Sequence, residues 1–192
     1  MFTRPPKNRY NDAICYGQAR KCKSIAQTIY RIGLSMLCRK KLGDVMTLHR
    51  GYDLPEENRV CGNVPVISSS GITGWHNVSK SEGPNVVTGR YGTIGKVFYC
   101  EGSCWPLNTA LYVSDFKGNS VRYVAYLLES SIKSDGKDKS TVPGIDRNVL
   151  HDLPVCYYSD PKEQEQVIAP LTLIDKTISL NKRLNDNLLM AA

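Results

Sequence analysis

No run of about 18 apolar residues, the length a helix needs to cross a bilayer, occurs in this sequence of 192 residues. The nearest approach is too short and holds Arg31, and the opening "MFTRPPKNRYND" has no apolar core of the secretory kind. Catalytic signatures are equally scarce. The glycines of "GPNVVTGRYGTIGKVFY" fall at Gly89, Gly92 and Gly95, which is not the G-x-G-x-x-G spacing of a dinucleotide site, and no G-K-[ST] closes a phosphate loop there. A G-x-S-x-G elbow, an H-E-x-x-H pair and the Asn-Pro-Pro-aromatic signature of amino-methyltransferases are all missing. His49, His76 and His151 stand apart from one another, and Cys100 and Cys104 lack a second ligand pair at zinc-finger distance. We therefore expect no metal site, no cofactor site and no catalytic centre in this chain. Seven cysteines, an odd number at irregular spacings, argue against a disulfide framework and for a reducing cytoplasm.

What is present in excess is positive charge, and it is unevenly placed. The net charge is +7, yet residues 1–41 hold ten Lys or Arg against the single acid Asp12, while the rest holds fifteen bases against seventeen acids. The basic character therefore belongs to one segment, which can grip phosphates without reading sequence or simply serve as a solubilising tail. Within it, "SIAQTIYRIGLSMLCRKK" places Ile25, Ile29, Ile32 and Met36 at helical spacing. The composition, 41% hydrophobic and 22% charged, is that of a folded globular protein.

The chain reads as three parts: a basic, partly helical segment at 1–41, a body at 42–158, and a helix at 159–192. The fold class expected is α+β. In the body, "VPVIS", "NVVTG", "IGKVFYC" and "TALYVS" read as strands separated by Gly, Pro, Asn and Ser clusters. One helix, "VRYVAYLLESSIK", is capped by Asn119 or Ser120 and buries Val121, Val124, Leu128 and Ile132. A lysine-rich polar loop, "KSDGKDKSTVPGIDRN", comes after it.

In the third part Asp160 is the N-cap, Pro161 occupies the first helical position, and Glu163 completes a capping box. Val167, Leu171, Ile174, Ile178, Asn181, Asn185 and Leu188 step by alternating fours and threes, a heptad seam that predicts a coiled coil. Leu173, Leu180 and Leu184 add a second apolar stripe, so the helix can serve two neighbours. Pro170 interrupts the pattern and predicts a kink.

Side chains suited to DNA lie in the body's polar connections. "SSSGITGWH", read as a loop, offers Ser68, Ser69, Ser70, Trp75 and His76. "TGRYGT" offers Arg90, able to fork onto guanine, with Tyr91 and Thr93 beside it. Lys137, Lys139 and Arg147 sit where phosphate contacts are expected.

The series "GYDLPEENRVCGNVPVISSSGITGWH", "GPNVVTGRYGTIGKVFY", "WPLNTALYV", "DKSTVPGIDRNVLHDLPV" and "EQEQVIAPLTLIDKTISLNKRLNDNL" resembles the specificity subunit of Type I restriction-modification systems, over residues 42–190. The resemblance implies a mixed-β target recognition domain that reads double-stranded DNA, joined to a long C-terminal coiled-coil helix that acts as a spacer and docks the methyltransferase subunit. It adds Arg50 and Tyr52 to the DNA-binding residues, and makes Leu184 part of the dimer and methyltransferase interface with the seam. It implies partners: the modification and restriction subunits, with S-adenosylmethionine, ATP and Mg²⁺ in those subunits and no cofactor here. Members carry two recognition domains and two helices, so this chain resembles a half-subunit that pairs with itself or with another half-subunit, or a truncated product. A stand-alone dimeric repressor and a nuclease or modifying enzyme are the rival classes.

Overall fold

The computed structural model describes residues 37–91, 95–134 and 144–190, with Ser134 and residues 188–190 as backbone only. The helix expected around Ile25 to Met36, Thr93, Lys137, Lys139 and the side chain of Leu188 lie outside the described residues. The chain divides between Leu37 and Cys38 into two units, and the second contains every strand and helix among the described residues.

Among the described residues nine strands form three small sheets. The central one, four antiparallel strands, has the order β2 (Thr47–Arg50), β8 (Ala110–Asp115), β5 (Asn85–Gly89), β6 (Val97–Cys100). A mixed sheet has β3 (Val64–Ser68) between β4 (Gly71–His76) and the short β7 (Trp105–Pro106), antiparallel to the first and parallel to the second. Two outer strands, β1 (Cys38–Lys41) and β9 (Pro154–Tyr157), pair with each other. The body thus begins at Cys38 and not at residue 42. The segment "CRKK" is a strand, not the end of a helix. Its charged side chains all face solvent, so composition advertised a tail while the backbone was pairing.

Strand β5 explains the layering. Every residue of "NVVTG" is buried, as happens when a strand is covered on both faces and loses its alternation. Val87 and its cross-strand partner Tyr112 pack on Ile67 of β3, so the mixed sheet covers one side. The helix α2 (Val121–Ser134) packs on β5 and β6 through Val124, Leu128 and Ile132, each at most 3% exposed. Burying each such aliphatic side chain contributes roughly 1.5–3 kcal/mol. Val121, expected inside, is half-buried at the helix start.

The stretch "GITGWH", expected as loop, is strand β4 in a tight hairpin with β3. Gly71 takes φ +114 at its first residue, a conformation side chains rarely adopt, and such a glycine reads as a loop signal in sequence. Two short helices, α1 (Leu42–Val45) and α3 (Arg147–His151), lean on each other beside β2.

The last helix, α4, spans Pro161–Met190 and runs on through Pro170. Asp160 caps it by accepting from the Lys162 N–H at 2.9 Å. Its root is Gln164, fully buried. The Gln164 amide donates to Asn119 Oδ1 and to the Tyr158 carbonyl, both at 2.7 Å, and accepts the Ser120 N–H at 2.8 Å. Ile168 beside it is 2% exposed, and Tyr126 donates to Asp175 one turn beyond Leu171. From Leu173 to Asn187 every side chain faces solvent.

Candidate nucleic-acid interface

Strand order places the C-terminal ends of β2 and β5 and the start of β8 at one end of the central sheet. The connection 107–109 between β7 and β8 crosses that end, and both arginines singled out in the sequence are anchored to it. Arg50 donates from Nε to the Asn108 carbonyl at 3.3 Å, and the Arg90 N–H donates to the Thr109 carbonyl at 3.0 Å. Asn108 is itself pinned, its N–H to the Tyr52 carbonyl at 3.1 Å and its side-chain amide to Asp53. Arg50 by its side chain and Arg90, the residue after β5, by its backbone are therefore both tied to this one connection.

Arg90 lies with its guanidinium carbon 4.8 Å from the centre of the Tyr91 ring and has no carboxylate partner among the described residues. A cation stacked on an aromatic ring keeps its donors free while its direction is fixed. The Arg90 carbonyl accepts from the Ile145 N–H at 2.9 Å. Gly144, just before it, lies so close under Tyr91 that a Cβ there would come within 2.4 Å of the ring, so a side chain at that position would have to displace Tyr91. The end of the lysine-rich connection is thereby fastened to the hairpin tip, and Arg147, exposed, comes two residues later. Leu107 also donates to the Ile67 carbonyl at 2.8 Å, which brings the turn carrying Ser69 and exposed Ser70 alongside.

Three residues expected to touch DNA are instead committed to the fold. Tyr52 shares a 2.9 Å hydrogen bond with the Tyr112 hydroxyl, and its ring meets Trp105 edge-on. Burial, and then the hydrogen bond with the Tyr52 hydroxyl, raise the Tyr112 pKa. Ser68, 7% exposed, closes the β3–β4 turn by accepting the Ser70 N–H and donating to the Gly71 carbonyl. His76, equally buried, accepts the Val60 N–H at 3.0 Å and packs edge-on against Trp105. A polar side chain next to glycines reads as available in sequence, but Ser68 and His76 satisfy backbone groups the fold would otherwise strand, and Tyr52 is tied to a neighbouring hydroxyl. Trp75 is 54% exposed, yet at the far end of β4 from the serine turn. Cys104 is buried, which pushes its thiol up to about 12 and leaves it unreactive.

Sequence reasoning missed Asn108, Thr109, Gly144 and Ile145, which position the arginines. Their contribution is through backbone groups, and no side-chain signal marks that. It also missed Lys80, whose ammonium lies 5.7 Å from the Tyr52 ring centre and 5.3 Å from that of Trp105.

On α4 the seam is bare. Leu171, Ile174, Ile178, Asn181, Asn185 and, on the second stripe, Leu173, Leu180 and Leu184 are all exposed, the leucines and isoleucines by 39–66%. Val167 differs: it is half-buried, next to the root. Neither stripe is the face that holds the helix to its own body, since Gln164 and Ile168 do that.

Residues 39–190 match the family described as Type I restriction modification DNA specificity domain. Among solved structures the chain resembles the S subunit of a Type I restriction-modification system from M. genitalium, at 18% identity and a TM-score of 0.68, over 78% of this chain and 41% of that one. It resembles the HsdS subunit from Thermoanaerobacter tengcongensis at 14% identity and a TM-score of 0.58, over 88% of this chain and 49% of that one. A third likeness, at 14% identity and 0.60, is to a structure on complex assembly and conformational transition of the type I R-M system, over 92% of this chain and 50% of that one. The chain spans about half the length of these structures or less. No curated protein matches it.

Proposed function

Because the chain belongs to the Type I restriction-modification DNA specificity family, we propose that its body reads one half of a bipartite DNA target while its C-terminal helix recruits the modification methyltransferase subunit, the restriction subunit joining that assembly. The observation that carries this reading is the convergence of Arg50 and Arg90 on one pinned connection, in a body from which α4 projects two bare apolar stripes. Base edges in the major groove are read by forked donors such as arginine, and a helix seam left uncovered is built to receive another helix. Reading and docking then occupy different surfaces. In this reading the chain is not itself an enzyme, and S-adenosylmethionine, ATP and Mg²⁺ act in the partner subunits.

A single reading body covers one half-site, so a two-part target requires pairing, with a second copy or with another half-subunit. Two copies related by a two-fold axis demand an inverted-repeat target. The test is methylome sequencing of a host lacking adenine methylation, in which the chain and its modification subunit are expressed together. One bipartite methylated motif should appear, palindromic for a homodimer, and vanish when the chain is omitted. A methylome unaffected by the chain, or methylation by the purified chain alone, would overturn the proposal.

A further inference from the structure

A second basic surface lies outside the arginine pair. Arg39, Lys40 and Lys41 of β1 line an open depression of about 670 Å³ with Lys117, Asp44 and Pro154. Four cations lie there beside Asp44, and a second carboxylate, Asp152, pairs with one of them. Lys41 is engaged, 2.8 Å from Asp152, and its N–H reaches Asp44. Arg39 and Lys40 have no ion pair among the described residues. Lys117 is tethered by its ammonium to the Gly43 carbonyl, which fixes it at the rim. The backbone beneath is rigid, since β1 pairs residue for residue with β9.

This depression is linked to the reading end. Gly43 sits against His151, and a Cβ on it would come within 2.9 Å of the histidine Cβ. Lys117 and Arg147 both lie near enough to His151 to act on its charge. Arg147 in turn stands two residues beyond Ile145, whose N–H is bound to the Arg90 carbonyl. A succession of cations therefore runs from Arg90 through Arg147 and Lys117 to Arg39 and Lys40.

We propose that this succession is a phosphate track: Arg39, Lys40, Lys117 and Arg147 grip the DNA backbone while Arg50 and Arg90 address the bases. It rests on the DNA-reading assignment above and extends it to residues outside the loops. Cations on a fixed strand set the register of a duplex without carrying sequence information. Unpaired charge continuous with the reading end fits a polyanion that passes over both.

The test is binding of the full chain to a duplex of random sequence across a salt series. Each phosphate contact contributes about 0.9 to the slope of log K against log salt. The R39Q/K40Q variant, changed only at exposed side chains, should bind more weakly and lose a slope of about 2. R39K/K40R, which keeps both charges, should retain the wild-type slope, and matched thermal melts would show that both variants fold. If wild type binds duplex and R39Q/K40Q keeps its slope, the track is wrong, the depression faces solvent or an acidic protein, and the DNA-reading assignment stands. If wild type binds no duplex at all, that assignment falls and the track with it.

Discussion

Residues 161–175 and 176–190 belong to one helix, yet they are held in opposite ways. The first half is rooted by a buried amide with three partners, by Ile168 and by the bond from Tyr126 to Asp175. The second half carries Ile178, Leu180 and Leu184 exposed by 47–59%, and every side chain from Lys176 to Asn187 is exposed. An apolar stripe normally explains how a helix is fixed to its domain. Here a glutamine does the fixing, and the stripes are left over. The rooted half sets the angle at which the bare half leaves the body, so in the docking role proposed above the polar root would govern where a partner helix is met.

The sharpest way to break this comparison is Gln164→Ala. It strands Asn119 Oδ1, the Tyr158 carbonyl and the Ser120 N–H, and a buried polar group without a partner costs about 1–3 kcal/mol. We expect a loss of about 3 kcal/mol in urea denaturation, with early proteolysis of α4. Leu180→Ala, in the bare half, should change the stability of the monomeric chain by less than about 0.5 kcal/mol. If the two substitutions cost the same, the division into root and dock is wrong.

The same contrast between committed and available groups separates Arg90 from Tyr52. Arg90→Ala should reduce discrimination between specific and random duplex by about 1–3 kcal/mol, the worth of a bidentate base contact, and leave stability nearly unchanged. Tyr52→Phe should do the reverse, keeping discrimination and losing about 1 kcal/mol of stability with the Tyr112 hydrogen bond. Competition binding and denaturation on both variants would check the pair.

Which of these groups were legible in the sequence follows a physical rule. The strands "VPVIS" and "NVVTG" and the cap at Asp160 showed themselves because their apolar runs or cap chemistry are local. The apolar steps along α4 were legible for the same reason, and apart from half-buried Val167 those described are exposed. The root was not. Gln164 looks like any surface glutamine on an amphipathic helix, and its three partners at Asn119, Ser120 and Tyr158 are set by tertiary packing alone. Likewise Ser68 and His76 looked free because nothing local shows that the Ser70 and Val60 N–H groups need them. Strand β1 was hidden by its own lysines.

Asn181 and Asn185 sharpen the comparison from the bare side. A seam asparagine trades stability for a unique register. Replacing both with leucine should leave the monomer's fold alone, raise the melting temperature of the assembled form and yield mixed oligomers in sedimentation. A single unaltered assembly state would mean that these side chains face water even in the complex.

The smallest effect concerns His151, which is to α1 and β2 what Gln164 is to α4: a polar side chain holding a backbone N–H. Its Nε2 accepts from Leu48 at 2.9 Å, so the bond requires the neutral ring. Burial lowers its pKa below the ordinary 6.5, and the charges of Arg147 and Lys117 push the same way, against the opposing pull of Asp152. A base whose folded pKa lies below its unfolded one binds protons more readily when unfolded. Its contribution to stability is therefore complete above about pH 6.5 and is lost as pH falls through the lowered folded value. The ring is half-exposed, so water screens part of the effect and the change is modest. Asp152 acts in a separate, more acidic window. Its hydrogen bond with Lys41 lowers its pKa from 3.8, so its contribution, screened because the pair is exposed, is complete above about that pH and is lost as pH falls through the lowered folded value. Melting temperatures of wild type should thus decline between pH 7 and pH 5, while His151→Gln, whose amide oxygen can still accept from Leu48, should decline less over the same window. Because His49 and His76 remain in both proteins, the difference between the two curves isolates His151. Parallel curves would show that the ring is not held neutral.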